Sequence, residues 1–158
     1  LAAILFNTTI LIKTINRHQK ISKMIIGLEE VFTVGQDTFF DSVSPTSSFG
    51  VTFEDDLTTG YFYALNIDQD TEILDALHIY NVADVIDKDK PSKLQIVWSD
   101  NGLIASILIN SYCHAIFDFD TKAGYCRNGF PESNGDWIEI KERVLTDDLI
   151  DEIFKINK

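Results

Sequence analysis

The clearest pattern in the chain runs from Lys93 to Pro131, KLQIVWSDNGLIASILINSYCHAIFDFDTKAGYCRNGFP, where apolar and polar positions alternate in four short runs separated by three turn signals. Strict alternation predicts half-buried strands, so the stretch reads as a four-strand antiparallel meander. Asn101-Gly102 marks the first hairpin, because a two-residue type I′ turn needs positive φ at both positions. That turn sets Asp100 against Leu103, Trp98 against Ala105, Ile96 against Ile107 and Leu94 against Ile109. Asn110-Ser111 closes the second hairpin in the same way, with Ile107 opposite His114 and Ala105 opposite Ile116. A third turn around Asp120 to Ala123 sets Asp118 opposite Tyr125 and Ile116 opposite Arg127.

Directly opposed residues share a side of the sheet, so the alternation sorts the meander into two faces. Val97, Ile104, Leu108, Cys113, Ala115, Phe117, Phe119 and Cys126 fall on one, which is expected to be a core face. Trp98, Ile107, Tyr112, His114, Ile116, Asp118, Tyr125 and Arg127 fall on the other. This mixed face is either a second packed layer with polar edges or a recognition surface. The sorting depends on every turn, because a one-residue slip moves all downstream side chains to the opposite face.

Before the meander, Glu30 to Val34 reads as a strand, Gly35-Gln36-Asp37 as a turn, and Ser42 to Ser48, with Pro45 and its serines, as a loop. Phe49, Val51 and Phe53 alternate, Glu54 to Gly60 form an acidic turn, and Tyr61 to Ile67 returns as a strand. The turn tip, Glu54-Asp55-Asp56, predicts an exposed group of carboxylates, without the ligand spacing and glycine of a calcium loop. Glu72 to Val82 opens like a helical turn but alternates at His78, Tyr80 and Val82, and reads as a strand. Asp84 to Ser92 is a charged loop.

After the meander, Asp136 with Glu139 suits the cap of a short helix, while Ile138 and Ile140 suit a strand. The last segment predicts a helix: Thr146 as N-cap, Asp147 and Asp148 in the first turn, and Leu149, Ile150, Ile153 and Phe154 as one stripe. Leu145 and Ile150 are spaced for a hydrophobic staple. The expected fold is α+β, an antiparallel meander of about seven or eight strands with a C-terminal helix packed on the sheet.

Charge adds a division. The net charge is −12, yet residues 1–23 hold Lys13, Arg17, Lys20 and Lys23 and no acid, leaving 9 basic against 25 acidic residues in the remainder. The apolar run Leu1 to Ile12 is short for a membrane span, and its positive charges follow it, unlike those of a signal peptide. Residues 1–23 are therefore expected to be an extension outside a single α+β domain of residues 24–158. The alternative is the end of a truncated membrane anchor with basic residues on the cytoplasmic side. An acidic body repels nucleic acid and anionic lipid, so a partner found by electrostatic steering is expected to be basic.

Candidate chemistry is sparse. Cys113 and Cys126 lie about 13 Å apart at strand rise in the expected register, too far to bridge, which suits reduced thiols and a cytoplasmic setting. Cys113 and His114 are adjacent on a strand and point to opposite faces, so they cannot form a catalytic dyad with each other. His18, His78 and His114 share no ligand spacing, so no metal is expected, and no cofactor motif is present. His114, Asp118 and Arg127 share the mixed face, with Asp118 and Arg127 close enough to pair across strands. Trp98, Tyr112 and Tyr125 there are either binding anchors or residues covered by the terminal helix. The expected binding residues are thus Trp98, Tyr112, His114, Asp118, Tyr125 and Arg127, with Asp55 and Asp56 as a second surface.

The runs DDLTTGYFYALN, ILDALHIYNVADV, IVWSDNGLIASILINSYCHAIFDF and GYCRNGFP together resemble a family of small acidic bacterial proteins known as a domain of unknown function. The likeness covers roughly Gly27 to Pro131 and implies no activity, so no catalytic residue carries over. More loosely, small acidic α+β proteins of this kind look like the immunity proteins that accompany secreted bacterial toxins. The expected function is a non-catalytic binding protein, an immunity-type inhibitor of a basic protein partner. The alternative is a small hydrolase or ligand-binding enzyme built around His114, Asp118 and Arg127.

Overall fold

The computed structural model describes residues 24–68, 70–133, 136–137 and 142–155. The N-terminal extension and most of the segment around Ile138 and Ile140 therefore lie outside the described residues. Among the described residues nine strands are formed: β1 (Met24–Phe32), β2 (Thr38–Val43), β3 (Phe49–Asp55), β4 (Thr59–Asn66), β5 (Glu72–Asn81), β6 (Ser92–Ser99), β7 (Ile104–Ile109), β8 (Tyr112–Asp118) and β9 (Ala123–Cys126). A helix, α1 (Asp147–Lys155), follows. The α+β class and the C-terminal helix are as expected. The single meander is not, because the strands divide into a five-stranded sheet in the order β1-β6-β7-β8-β9 and a four-stranded sheet in the order β2-β3-β4-β5. All strand pairs are antiparallel.

The two sheets share one core. Leu94, Ile96, Trp98, Ile107 and Phe117 from the larger sheet pack with Val51, Phe53, Phe62, Ala64 and Leu77 from the smaller. Aromatic rings bridge them: Phe62 stacks on Phe117 at 5.1 Å and Phe49 on Phe119 at 4.6 Å. Burying such rings contributes roughly 1.5–3 kcal/mol each, so this seam accounts for much of the sandwich. Trp98 lies within it, 0 % exposed, its indole Nε1–H donating to Ser42 Oγ of β2 at 2.9 Å.

β2 was not expected as a strand, and Ser42 supplies the reason. Its inward position is polar and satisfied by the indole, while its outward neighbours Phe39 and Val43 are apolar and exposed. Phe40 inside and Asp41 outside follow the usual alternation, but Phe39, Ser42 and Val43 break it, and the serines read as a loop. The following loop docks on the Asn101-Gly102 turn, with Ser44 Oγ donating to Gly102 O and Thr46 Oγ1 to Asn101 O. Gly102 has φ +69°, and a Cβ there would overlap both hydroxyls, so the site admits only glycine.

The first hairpin has the expected register, from Leu94 opposite Ile109 to Trp98 opposite Ala105. Its loop is wider than expected, with only Gly102 at positive φ; Asn110 and Ser111, at +49° and +70°, form the type I′ turn. The second hairpin begins as expected, Ile109 opposite Tyr112 and Leu108 opposite Cys113. A bulge then intervenes, so Ile107 meets Ala115 and Ala105 meets Phe117. His114 is the extra residue, and beyond it every side chain changes face. The third pairing differs by two, with Asp118 opposite Ala123 and Ile116 opposite Tyr125, which leaves the faces unchanged.

The outer face of the larger sheet carries Val97, Ile104, Leu108, Cys113 and Ile116, and α1 covers it with Ile150, Ile153 and Phe154. Thr146 caps the helix as expected, its Oγ1 accepting from Leu149 N–H at 3.1 Å. Leu145 joins the same cluster, in keeping with the staple. The two cysteines lie on opposite faces, Cys113 under α1 and Cys126 in the sandwich core, and both are free. Just before the helix, Arg143, 2 % exposed, pins the tail across both sheets. It donates to Gly124 O, Pro131 O and Asp75 Oδ2, the last on β5. These partners offset only part of the cost of burying the pair, because desolvation still raises the Asp75 carboxyl above its usual range despite the Arg143 guanidinium.

Trp98→Ala should cost about 3–5 kcal/mol of folding free energy, as for a core aromatic. Ser42→Ala should cost about 1–3 kcal/mol, because it orphans the indole N–H. Urea denaturation of both variants measures these losses.

Candidate functional site

The bulge breaks up the expected mixed face. Trp98 and Ile107 point into the sandwich, whereas Ile116 and Tyr125 point towards α1. Trp98 is wholly buried between the sheets and offers nothing to a partner, a correction to its expected role. Tyr112 is 49 % exposed at the end of β8, with Arg127 stacked on its ring at 4.3 Å. Arg127 also donates to Cys113 O at 2.9 Å and pairs with Asp147 in the first turn of α1 at 3.0 Å, so it braces the helix start. It does not pair with Asp118, which instead caps the β8–β9 turn by accepting from Asp120 N–H and Thr121 N–H.

His114 packs edge-on to Tyr112 and lines a cavity of 460 Å³ with Tyr80, Val85, Lys88 and Lys90. Asp118 and Tyr125 line a different cavity, of 390 Å³, beside Leu149 and Glu152. His114, Asp118 and Arg127 are thus not brought together. Burial pushes the His114 imidazole down to about 4, helped by the Arg127 guanidinium. Burial pushes the Cys113 thiol up to about 12, against the demands of a nucleophile.

The acidic turn is also divided. Asp55 is 0 % exposed, contrary to expectation, and its carboxylate accepts from Gly35 N–H, Leu57 N–H and the Tyr80 hydroxyl. Burial and this bond to Asp55 push the Tyr80 phenol up. Asp56 is exposed and accepts from Thr58 and Thr59 N–H, which hold its carboxyl below the usual range.

The arrangement that sequence reasoning missed is the outer face of the four-stranded sheet. Register places Asp41, Thr52 and Tyr63 in one row and Phe39, Glu54, Tyr61 and His78 in the next. Leu65 and Ile73 sit opposite one another beyond Tyr63. Phe39 is 61 % exposed, Val43 56 % and Ile73 62 %, although the other sheet's outer face is covered by α1. The rings of Tyr61 and Tyr63 stack at 6.0 Å, and His78 meets Tyr61 edge-on at 5.4 Å. Asn128 Oδ1 accepts from Cys126 and Phe130, so its Nδ2 donates to His78 Nδ1 at 2.7 Å. The His78 proton therefore sits on Nε2, donated to Asn81 Oδ1 at 2.9 Å. The broken alternation of β2, with Phe39 and Phe40 adjacent and so on opposite faces, was the signal that could have found this face.

Two carboxylates interrupt the aromatic rows. Asp41 Oδ1 accepts from the buried Thr52 hydroxyl at 2.6 Å. Glu54 lies opposite Tyr61, and its carboxylate makes no hydrogen bond or ion pair among the described residues. Burial raises the Tyr63 phenol, and the nearby Glu54 carboxylate raises it further. Among the described residues no group of three or more His, Cys, Asp or Glu could hold a metal ion, and no helix is long and apolar enough to cross a membrane.

Fold and face together define a two-sheet α+β protein with one sheet surface capped by a helix and the opposite surface, uncovered by any described element, aromatic and acidic. The chain belongs to the DUF2251 family, described as uncharacterized proteins conserved in bacteria, whose model matches residues 32–154. The match starts at the end of β1 and continues into α1, beyond the expected end of the likeness at Pro131. An uncharacterized protein of Haemophilus influenzae is 47% identical over 85 residues, which cover 53% of this chain and 53% of that protein. The matched region thus spans about half the length of this relative. No solved structure matches the chain.

The His114 shift predicts a pH effect. A folded value of about 4 against 6.5 in the unfolded chain favours the neutral ring, so the stabilisation is full above 6.5 and is lost as pH falls towards 4. Between pH 7 and pH 5 the wild-type protein should lose about 2 kcal/mol more than a His114→Gln variant. Parallel denaturation profiles for the two would contradict this.

Proposed function

We propose that this protein is a non-catalytic binding protein that neutralises a basic protein partner, in the manner of immunity proteins that accompany bacterial toxins. The observation that carries the reading is the exposed face of the four-stranded sheet, where Phe39, Tyr61, Tyr63 and Ile73 surround Asp41 and Glu54. Phe39 is exposed there and Tyr61 and Tyr63 are half-buried, and aromatic side chains are the usual anchors of protein interfaces. Carboxylates among them set the sign of the partner, and a net charge of −12 steers it over longer range. The surface around Tyr112 suits such a partner less, because its Arg127 would repel a cation. A cytoplasmic setting belongs to the same reading, since both thiols are free.

Capture from the native cell with the full chain, beside Tyr63→Ala and Arg127→Ala, tests the proposal. A basic protein should be retained by wild type and by Arg127→Ala. Tyr63→Ala should weaken its binding by about 30-fold, the usual hot-spot scale of about 2 kcal/mol. Association should slow as salt rises. An acidic partner, or one lost with Arg127→Ala and kept with Tyr63→Ala, would contradict it.

A further inference from the structure

The exposed face is not flat. Phe39, Asp41, Glu54, Tyr63, Leu65 and Ile73 line a cavity of 370 Å³ within it. Apolar walls, an aromatic ring and two carboxylates converge there, a combination suited to a cation on an aliphatic stem. We infer that this cavity is a receptor for an arginine side chain presented by the basic partner protein. The inference rests on the proposed function and specifies the contact through which it works.

Each part of the cavity has a role in that assignment. Leu65, Phe39 and Ile73 offer apolar surface for the three-carbon stem. The Tyr63 ring is a partner for a stacked guanidinium. Asp41 and Glu54 are diagonal neighbours on β2 and β3, since Asp41 lies opposite Thr52 and Glu54 lies two residues further along. Thr52 fixes the Asp41 carboxylate through one oxygen. None of the ion pairs among the described residues involves Asp41 or Glu54, so their charge is available to a ligand. A planar guanidinium can reach two carboxylates while lying on a ring, whereas an ammonium is a compact, strongly hydrated point charge. The geometry therefore favours arginine over lysine.

The probe is Nα-acetyl-L-arginine amide, titrated into the full chain and followed by side-chain and amide NMR shifts. Nα-acetyl-L-lysine amide and the uncharged isostere Nα-acetyl-L-citrulline amide serve as comparators. The arginine derivative should give saturable shifts centred on Phe39, Tyr63 and Ile73. Binding should be at least threefold weaker for the lysine derivative and undetectable for the citrulline one. Glu54→Gln and Asp41→Asn, which keep the shape of the cavity and an acceptor for Thr52, should each weaken arginine binding at least threefold. Shifts that do not saturate, that centre on Tyr112 and α1, that are equal for citrulline, or that favour lysine would overturn the assignment. Failure here with a basic partner still captured through Tyr63 would reject the arginine receptor and leave the binding function standing. Saturable arginine binding with no basic partner retained would do the reverse.

Discussion

Two stacked sheets have four faces, and a single described α-helix can cover only one of the outer two. That constraint governs the molecule. The inner faces bury each other through Trp98, Phe62, Phe117 and their neighbours, and α1 takes the outer face of the larger sheet. No described element covers the fourth face, and polar residues are the usual choice on the solvent side of an antiparallel sheet. Here it carries Phe39, Tyr61, Tyr63 and Ile73 instead. Exposed apolar surface rimmed by charge costs solubility and marks an interaction site.

Rigid supports lie behind that face. The Trp98 indole holds β2 through Ser42, the residue that follows Asp41. Asp55 gathers Gly35, Leu57 and Tyr80 around its buried carboxylate and so fixes the turn that begins next to Glu54. Arg143 ties β5 to the tail that leads into α1, through Asp75. Side chains on such a platform lose little conformational freedom on binding, which lets a modest set of contacts yield useful affinity. Stability and recognition are connected here: the buried polar bonds hold in place the exposed groups that meet a partner.

Much of the fold was legible in the sequence. Local signals were read correctly where local physics decides: the Thr146 cap and its apolar stripe, the Leu94–Ile109 register, the hairpin around Glu54 to Gly60. What failed depended on distant partners. The bulge at His114 has no turn residue to announce it, and it exists because Ala115 and Phe117 fill the inter-sheet space while Cys113 stays under α1. Asp55 looked exposed because carboxylates usually are, and two of its three donors come from residues 20 and 25 positions away. The candidate site was misplaced for the same reason. Trp98 and Arg127 were chosen for residue type in an assumed register, whereas the aromatic face was hidden by a strand, β2, whose alternation is broken by an inward Ser42 and outward Phe39 and Val43.

The central claim is that the partner meets the four-stranded sheet and not the helix side. Hydrogen exchange of the protein alone and bound to its captured partner tests this most directly. Backbone amides of β2 to β5, and those flanking Phe39, Glu54 and Tyr63 above all, should exchange more slowly in the complex, with α1 and the Tyr112–Arg127 corner unchanged. Protection confined to α1 and that corner, with β2 to β5 unaltered, would contradict the account.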